Sequence, residues 1–339
     1  MDKARTVVES TLIPHTAFQI AMQRIKQALA YSLQSPEPVG IALVGESRTG
    51  KSRALEEADA LLTRTRTSEG AVVPILRMRT PARPTVKGVA SLLLKAMGDP
   101  KWEKGSETSM TVRLIDLIAQ CQTQMLMLDE FQHFFDKGTH KIFHEVADWL
   151  KILMDETRVA VVVSGLEGCL PVLLQNEQLS GRFLAPIFMR RFHWLEPDGM
   201  AEFLGILEAF HIAMSEHFDM PELHRTEMAF RLWCASGGLI GHLAKLLRQA
   251  VWDTCDAGKR SITLEGFRAA HAFAAWSEFG DAVTVSPFDR SFSVEPTQEK
   301  IAQALTIGTC EVEVEAPTRG RPKKGTGPTL NQVLTGSGA

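Results

Sequence analysis

The chain has 339 residues, 45% of them hydrophobic and 23% charged, with a net charge of −3. That length accommodates one large domain or two modest ones around a sizeable core, and the near-neutral charge excludes a globally basic nucleic-acid binder, so any such site must be a local patch. Five scattered cysteines, never in a C-x-x-C pair, argue against a disulfide or zinc framework and read as reduced thiols of a soluble, cytoplasmic protein; no run reaches the ~18 apolar residues that span a membrane.

Taken in chain order, residues 16–34 place Phe18, Met22, Ile25 and Leu29 at helical spacing before SPEP breaks the pattern. Apolar, strand-like runs then alternate with helical patterns: IALV (41–44), AVVPILRM (71–78), MLML (125–128), VAVVV (159–163) and FMRRFHWL (188–195). Short, fully apolar strands alternating with helices predict an α/β fold, a parallel sheet flanked by helices on both faces. After Pro197 the strand signal ends, and GMAEFLGILEAFH, TEMAFRLWCAS, GHLAKLLRQAVWDTC and LEGFRAAHAFAAW all carry a 3.6-residue period. The expected organisation is an N-terminal helical extension (1–38), an α/β core (39–197), a small all-helical lid (198–280) and a flexible tail (281–339) too polar to fold alone.

GESRTGKS, Gly45 to Ser52, fits G-x-x-x-x-G-K-[ST] in full and sits between a strand and a helical pattern. Such a P-loop curls its backbone N–H groups around phosphate oxygens and adds the partial positive charge of a helix N-terminus. Gly45, Glu46, Ser47, Arg48, Thr49 and Gly50 are thus candidate nucleotide contacts. Lys51 is the candidate for the β/γ-phosphates and Ser52 for Mg²⁺. MLMLDE supplies the second half of the site: Asp129 ends a buried strand and is placed to hold the magnesium, and Glu130 to polarise an attacking water. Adjacent carboxylates at a strand end are costly without a cation to face. ATP and Mg²⁺ are the expected cofactors and Mg²⁺-dependent ATP hydrolysis the expected reaction.

Ser164, at the end of VAVVV, admits two readings, a sensor of the γ-phosphate or lytic water and a simple strand-ending turn. Arg182 in QLSGRF and the pair Arg190–Arg191 are candidates for an arginine presented to a neighbouring subunit, with a solvated surface role as the other reading; Arg182 is preferred because it precedes the last strand.

A P-loop, a DE pair, a polar residue after the fourth strand, a pre-strand arginine and a helical lid together resemble an AAA+ ATPase. LDEFQHF (128–134), EVADWLK (145–151) and SGGLIGHLAKLL (236–247) narrow the resemblance to the TniB/TnsC group of transposition regulators, over residues of about 10–280. The resemblance implies an ATP-dependent homo-oligomer, a ring or helical filament, on double-stranded target DNA. It implies recruitment of a transposase, with hydrolysis setting the oligomer's lifetime, and a separate target-selection protein that in some relatives is a CRISPR effector. It assigns Lys51 and Ser52 to nucleotide and magnesium, Asp129 and Glu130 to magnesium and hydrolysis, and Ser164 to the first sensor. Where many AAA+ relatives carry a lid arginine, this chain has His242 after Gly241; His242 is open to nucleotide contact or lid packing, and His133 to a structural or a γ-phosphate role.

Two polar loops suit sequence-independent DNA phosphate contacts, GDPKWEKGSETS (98–109) with Lys101 and Lys104, and DKGTHK (136–141) with Lys137, Thr139 and Lys141. In ring-forming ATPases of this class, loops at these places face the pore; solvated loops are the bland alternative. Arg79 and Arg83 are weaker candidates. TRGRPKK (318–324) reads either as an AT-hook for the minor groove or as a basic linker, and PTLNQVLTGSGA after it as a docking peptide for the transposase. The competing functions are a nucleotide-dependent signalling switch without DNA, a replication initiator or helicase loader, and a scaffold that never hydrolyses.

Overall fold

The computed structural model describes residues 2–31, 34–35, 37–68, 70–82, 84–136, 140–174, 177–274 and 285–308, with backbone alone at 2, 135–136 and 140–143. Five parallel strands form one sheet: β1 (Gly40–Val44), β2 (Ile75–Arg79), β3 (Met125–Asp129), β4 (Ala160–Gly165) and β5 (Ile187–Phe188), in the order β2-β3-β4-β1-β5. Strands β1, β3 and β4 are buried along their whole length. Alternate residues feed opposite faces, as the two-residue period of a strand dictates. Ile41, Leu43, Met125, Met127 and Val162 join one core cluster, and Ala42, Val44, Leu126, Leu128 and Val163 the other.

Helices α1 (Thr16–Tyr31) and α2 (Lys51–Asp59) cover the first face through Phe18, Ile25 and Leu55. The second face carries α3 (Val86–Ala96), α4 (Glu107–Gln120) and α5 (His140–Thr157), through side chains such as Leu93, Leu114 and Leu150. Thr85 and Ser106 cap α3 and α4 by accepting from Gly88 N at 3.0 Å and Ser109 N at 3.2 Å, each worth about 1 kcal/mol. A separate core belongs to α6 (Pro197–Ser215), α7 (Thr226–Ser236), α8 (Ile240–Asp256) and α9 (Leu264–Ala274). An α/β core is thus followed by a small helical lid.

Four expectations change. The run 71–78 is two pieces, a short ribbon strand Ala71–Val72 that pairs with Thr65–Arg66 and then β2, because Pro74 cannot donate to a ladder. Of FMRRFHWL only Phe188 is in the sheet, and Phe192 and Trp194 instead join the lid core. The expected tail is ordered over 285–308: Phe288, Ile301 and Ala304 are buried in the lid core, and α10 (Gln298–Leu305) closes the segment. These few apolar side chains were diluted by the polar composition of 281–339 taken whole. The N-terminal residues also divide, with α1 on the sheet and Val7 and Val8 in the lid core.

Candidate nucleotide site

Parallel pairing aligns Leu43 with Ser164, Val44 with Gly165 and Arg79 with Asp129. The C-terminal ends of β1 to β4 therefore meet on one rim, where ligands of open α/β sheets bind. A cleft of about 780 Å³ opens there, lined by residues including Arg48, Lys51, Ser52, Asp129, Glu130 and Gly241, a size within the ~300–1,000 Å³ of small-molecule sites. A second groove of about 700 Å³ runs along α1 past Phe18, Met22 and Tyr31; it lacks the convergent charges of the first.

The loop from Gly45 to Gly50 enters α2 as the P-loop pattern requires. A Cβ on Gly45 would stand 1.9 Å from the Met189 carbonyl oxygen, so no other residue fits. Gly50 takes a left-handed φ of +97° as the N-cap of α2, and Arg48 takes +68°. Lys51, buried at the first position of α2, donates Nζ to the carbonyl of Gly45 at 2.8 Å and to that of Glu46. Burial lowers its pKa, while Glu130 and Asp129 oppose that shift. Thr49 is buried and donates to the Glu46 carbonyl at 2.9 Å; Ser47 and Ser52 are exposed at the rim of the cleft.

Asp129 is buried at the end of β3, its Oδ1 accepting from Glu130 N at 2.9 Å and from the Ser164 hydroxyl. Its Oδ2 faces the Arg77 guanidinium at 3.7 Å, which also approaches Glu56 at 3.7 Å. Glu130 is held at φ +56°, a left-handed conformation of the strained kind that clusters at functional sites. One Glu130 oxygen lies 3.2 Å from Arg79 and the other accepts from Gln132, whose own carbonyl oxygen takes the Leu166 N–H at 3.2 Å. Both oxygens of Glu130 are therefore engaged.

Ser164 is fully buried and absent from the cleft lining. Its hydroxyl donates to Asp129, the strand-end carboxylate beside it. The Glu46 side chain meets Arg191, with Nε···Oε distances of 3.0 and 2.9 Å, and this hydrogen bonding holds its carboxyl below the usual glutamate range. Arg191 is thereby withdrawn from any surface role, whereas Arg190 is exposed and stacks over Phe188 at 5.1 Å. Arg182 stands at the other end of the sheet, where its carbonyl accepts from Gly40 N at 2.8 Å. Its guanidinium forks onto Asp155 through two 2.8 Å bonds.

The lid touches the P-loop backbone to backbone. Gly241 N donates to the Arg48 carbonyl at 2.9 Å, and a Cβ there would stand 2.9 Å from the same oxygen. His242 packs beside Gly308, away from the cleft lining, and burial, then Arg48, Lys245 and Arg191, lower its pKa. His133 opens a helical turn at 133–136, also off the lining. His15, which the sequence reading missed, is buried edge-on against Phe192 at 5.4 Å, with Nε2 facing Gly50. Burial lowers its pKa. A lone histidine 35 residues before Gly50 leaves no sequence signal.

Lys101 and Lys104 are exposed on an ordered loop. Arg113 holds that loop by donating to the carbonyls of Lys101 at 2.9 Å and Lys104 at 3.1 Å, and by pairing with Asp99 at 2.6 Å. Lys137, Thr139, Arg83, the segment TRGRPKK and the last twelve residues lie outside the described residues, as does the side chain of Lys141. Among the described residues no helix is long and apolar enough to cross a membrane.

Among solved structures the chain is similar to the ORC2 protein of Aeropyrum pernix in its ADPNP–ADP complexes, at 13% identity and a TM-score of 0.59 over 81% of this chain and 73% of that one. It is similar to Cdc6p of Pyrobaculum aerophilum at 14% identity and a TM-score of 0.58, over 80% and 71%. The A. pernix ORC1 protein in complex with DNA follows at 19% and 0.56, over 79% and 69%. At these identities the likeness establishes the AAA+ fold. No curated protein matches the chain in sequence. The family model described as Bacterial TniB protein matches residues 3–193, from the N-terminal turns through the P-loop and Asp129–Glu130 to the arginine pair at 190–191, and the chain therefore belongs to the TniB family.

Proposed function

We propose that this protein is an ATP-dependent regulator of DNA transposition that oligomerises on double-stranded target DNA and recruits a transposase, with hydrolysis limiting the oligomer's lifetime. The observation that carries the ATPase reading is the meeting of Lys51, Ser52, Asp129 and Glu130 on one cleft at the sheet's C-terminal rim. Membership of the TniB family supports the transposition reading. The donor set fits a magnesium ion: a serine hydroxyl and a strand-end carboxylate line the same cleft, hard oxygens of the kind Mg²⁺ prefers. Ser52 and Asp129 would hold the ion, whose charge neutralises the phosphates.

The chain's own residues do the rest. Lys51 leaves the carbonyls of Gly45 and Glu46 to take phosphate oxygens, and the P-loop N–H groups cradle them. Ser164 keeps Asp129 turned to the cleft. Glu130 accepts the proton of the attacking water once Arg79 or Gln132 releases one of its oxygens. Arg182 acts in a neighbouring subunit's site, which requires its fork with Asp155 to open on assembly. Lys101 and Lys104, with Lys137, Thr139 and Lys141, contact DNA phosphates without reading sequence.

Electron microscopy of the purified protein with duplex DNA tests this, run with ADP, with a slowly hydrolysed ATP analogue, and with ATP on the Glu130→Gln variant. Ordered rings or filaments on DNA are expected with the analogue and with the variant, and none with ADP. Monomers off the DNA under all three conditions overturn the transposition reading in favour of a nucleotide switch.

A further inference from the structure

Arg191 uses all of its hydrogen-bonding capacity at one buried junction. Its side chain is 4% exposed, and a guanidinium has five N–H donors in a fixed fork. Nε and one Nη2 donor hold the Glu46 carboxylate; the other Nη2 donor reaches the Ile307 carbonyl at 3.1 Å. Nη1 reaches the carbonyls of Leu305 at 2.9 Å and Gly237 at 3.3 Å. Three segments far apart in sequence thus meet on one side chain: the P-loop, the turn between α7 and α8 of the lid, and the C-terminal end of α10.

Each partner depends on the others. The last carbonyls of a helix have no partner within it, and Arg191 supplies one for Leu305. Gly237 has a left-handed φ of +61°, and a Cβ there would stand 2.6 Å from the Ala304 carbonyl oxygen, so α10 seats only against a glycine. Arg231 fastens the segment's start, donating to the Asp289 carbonyl at 3.0 Å and the Phe292 carbonyl at 3.3 Å. On the other side, the Glu46 carbonyl accepts from both Lys51 and Thr49. Glu46 is therefore held by its side chain to the junction and by its main chain to the phosphate-binding lysine.

We propose that Arg191 is a positioning residue that couples the seating of residues 285–308 to nucleotide binding. Seating the segment fixes the guanidinium and through Glu46 sets the P-loop; bound nucleotide, by fixing the P-loop and the lid, strengthens the seat of α10. A macromolecule that grips or displaces α10 thereby raises or lowers nucleotide affinity without touching the cleft. This rests on the nucleotide-site reading above.

Hydrogen exchange of the full chain, read over amides 301–307 with and without a slowly hydrolysed ATP analogue, tests the coupling. Binding of a fluorescent ATP analogue is measured on the same samples. In the wild type, exchange over 301–307 slows at least about threefold with nucleotide, because a helix end opens by local fluctuation. The slowing disappears in Glu46→Gln and in Arg191→Lys, which retains the charge but not the fork. Slowing of equal size in the wild type and both variants, or none in the wild type despite bound analogue, overturns the coupling. No binding by the wild type overturns the nucleotide-site reading itself.

Discussion

Ser164 acts on the chemistry through another residue. Its buried hydroxyl donates to one oxygen of Asp129, the carboxylate proposed to hold the magnesium. Loss of such an outer partner commonly costs about 10–100-fold in metal affinity or activity. Ser164→Ala is expected to shift the Mg²⁺ dependence of ATP turnover to higher concentration by about tenfold while nucleotide binding without magnesium is unchanged; an unshifted magnesium titration would show that Asp129 needs no such support. Glu46 carries a second expectation. Its folded-state pKa lies below the unfolded value because Arg191 hydrogen-bonds the charged form. The ion pair therefore stabilises the fold above the unfolded glutamate pKa, and that contribution is lost as pH falls through the folded value. Chemical denaturation across that acid range is expected to show a steeper loss for the wild type than for Glu46→Gln, and parallel curves would remove Glu46 from the acid response.

At the scale of elements, the decisive contact is the start of α8 against the P-loop. The bond from Gly241 to the Arg48 carbonyl leaves no room for a side chain. Gly241→Val is expected to lift α8 from the loop, weakening nucleotide affinity at least about tenfold, the equivalent of ~1.4 kcal/mol, while the sheet keeps its stability. A titration with labelled nucleotide beside a thermal melt separates the two, and unchanged affinity would mean the seam is not part of the site. Much of this architecture was legible in the sequence, because the strands are apolar on both faces and the P-loop and DE pair are contiguous motifs. What stayed hidden depends on contacts between distant segments. Nothing around Arg191 in FMRRFHWL announces that it meets Glu46, and the glycines of SGGLIGH look like a turn until Gly238 and Gly241 are seen closely packed on Phe192 and Arg48. The buried Phe288, Ile301 and Ala304 were too sparse to register as a helical face.

For the whole molecule, the sheet core and the lid are built on different plans. The buried side chains of the sheet core run from Phe18 to Met189. The lid core takes Val7 and Val8 from the start of the chain and Phe288, Ile301 and Ala304 from near residue 300. Arg5 pairs with Asp256 at 2.5 Å, and the Trp252 indole donates to the Arg5 carbonyl at 3.2 Å, fastening the N-terminal turns to α8. Synthesis runs in one direction at about 5–20 residues per second. Val7 and Val8 are therefore made roughly 15–60 s before Ile301, by that same rate. The sheet core has time to form before the residues near 300 that complete the lid core are made, so the lid, whose Gly241 lines the cleft, is completed after the sheet that carries the P-loop.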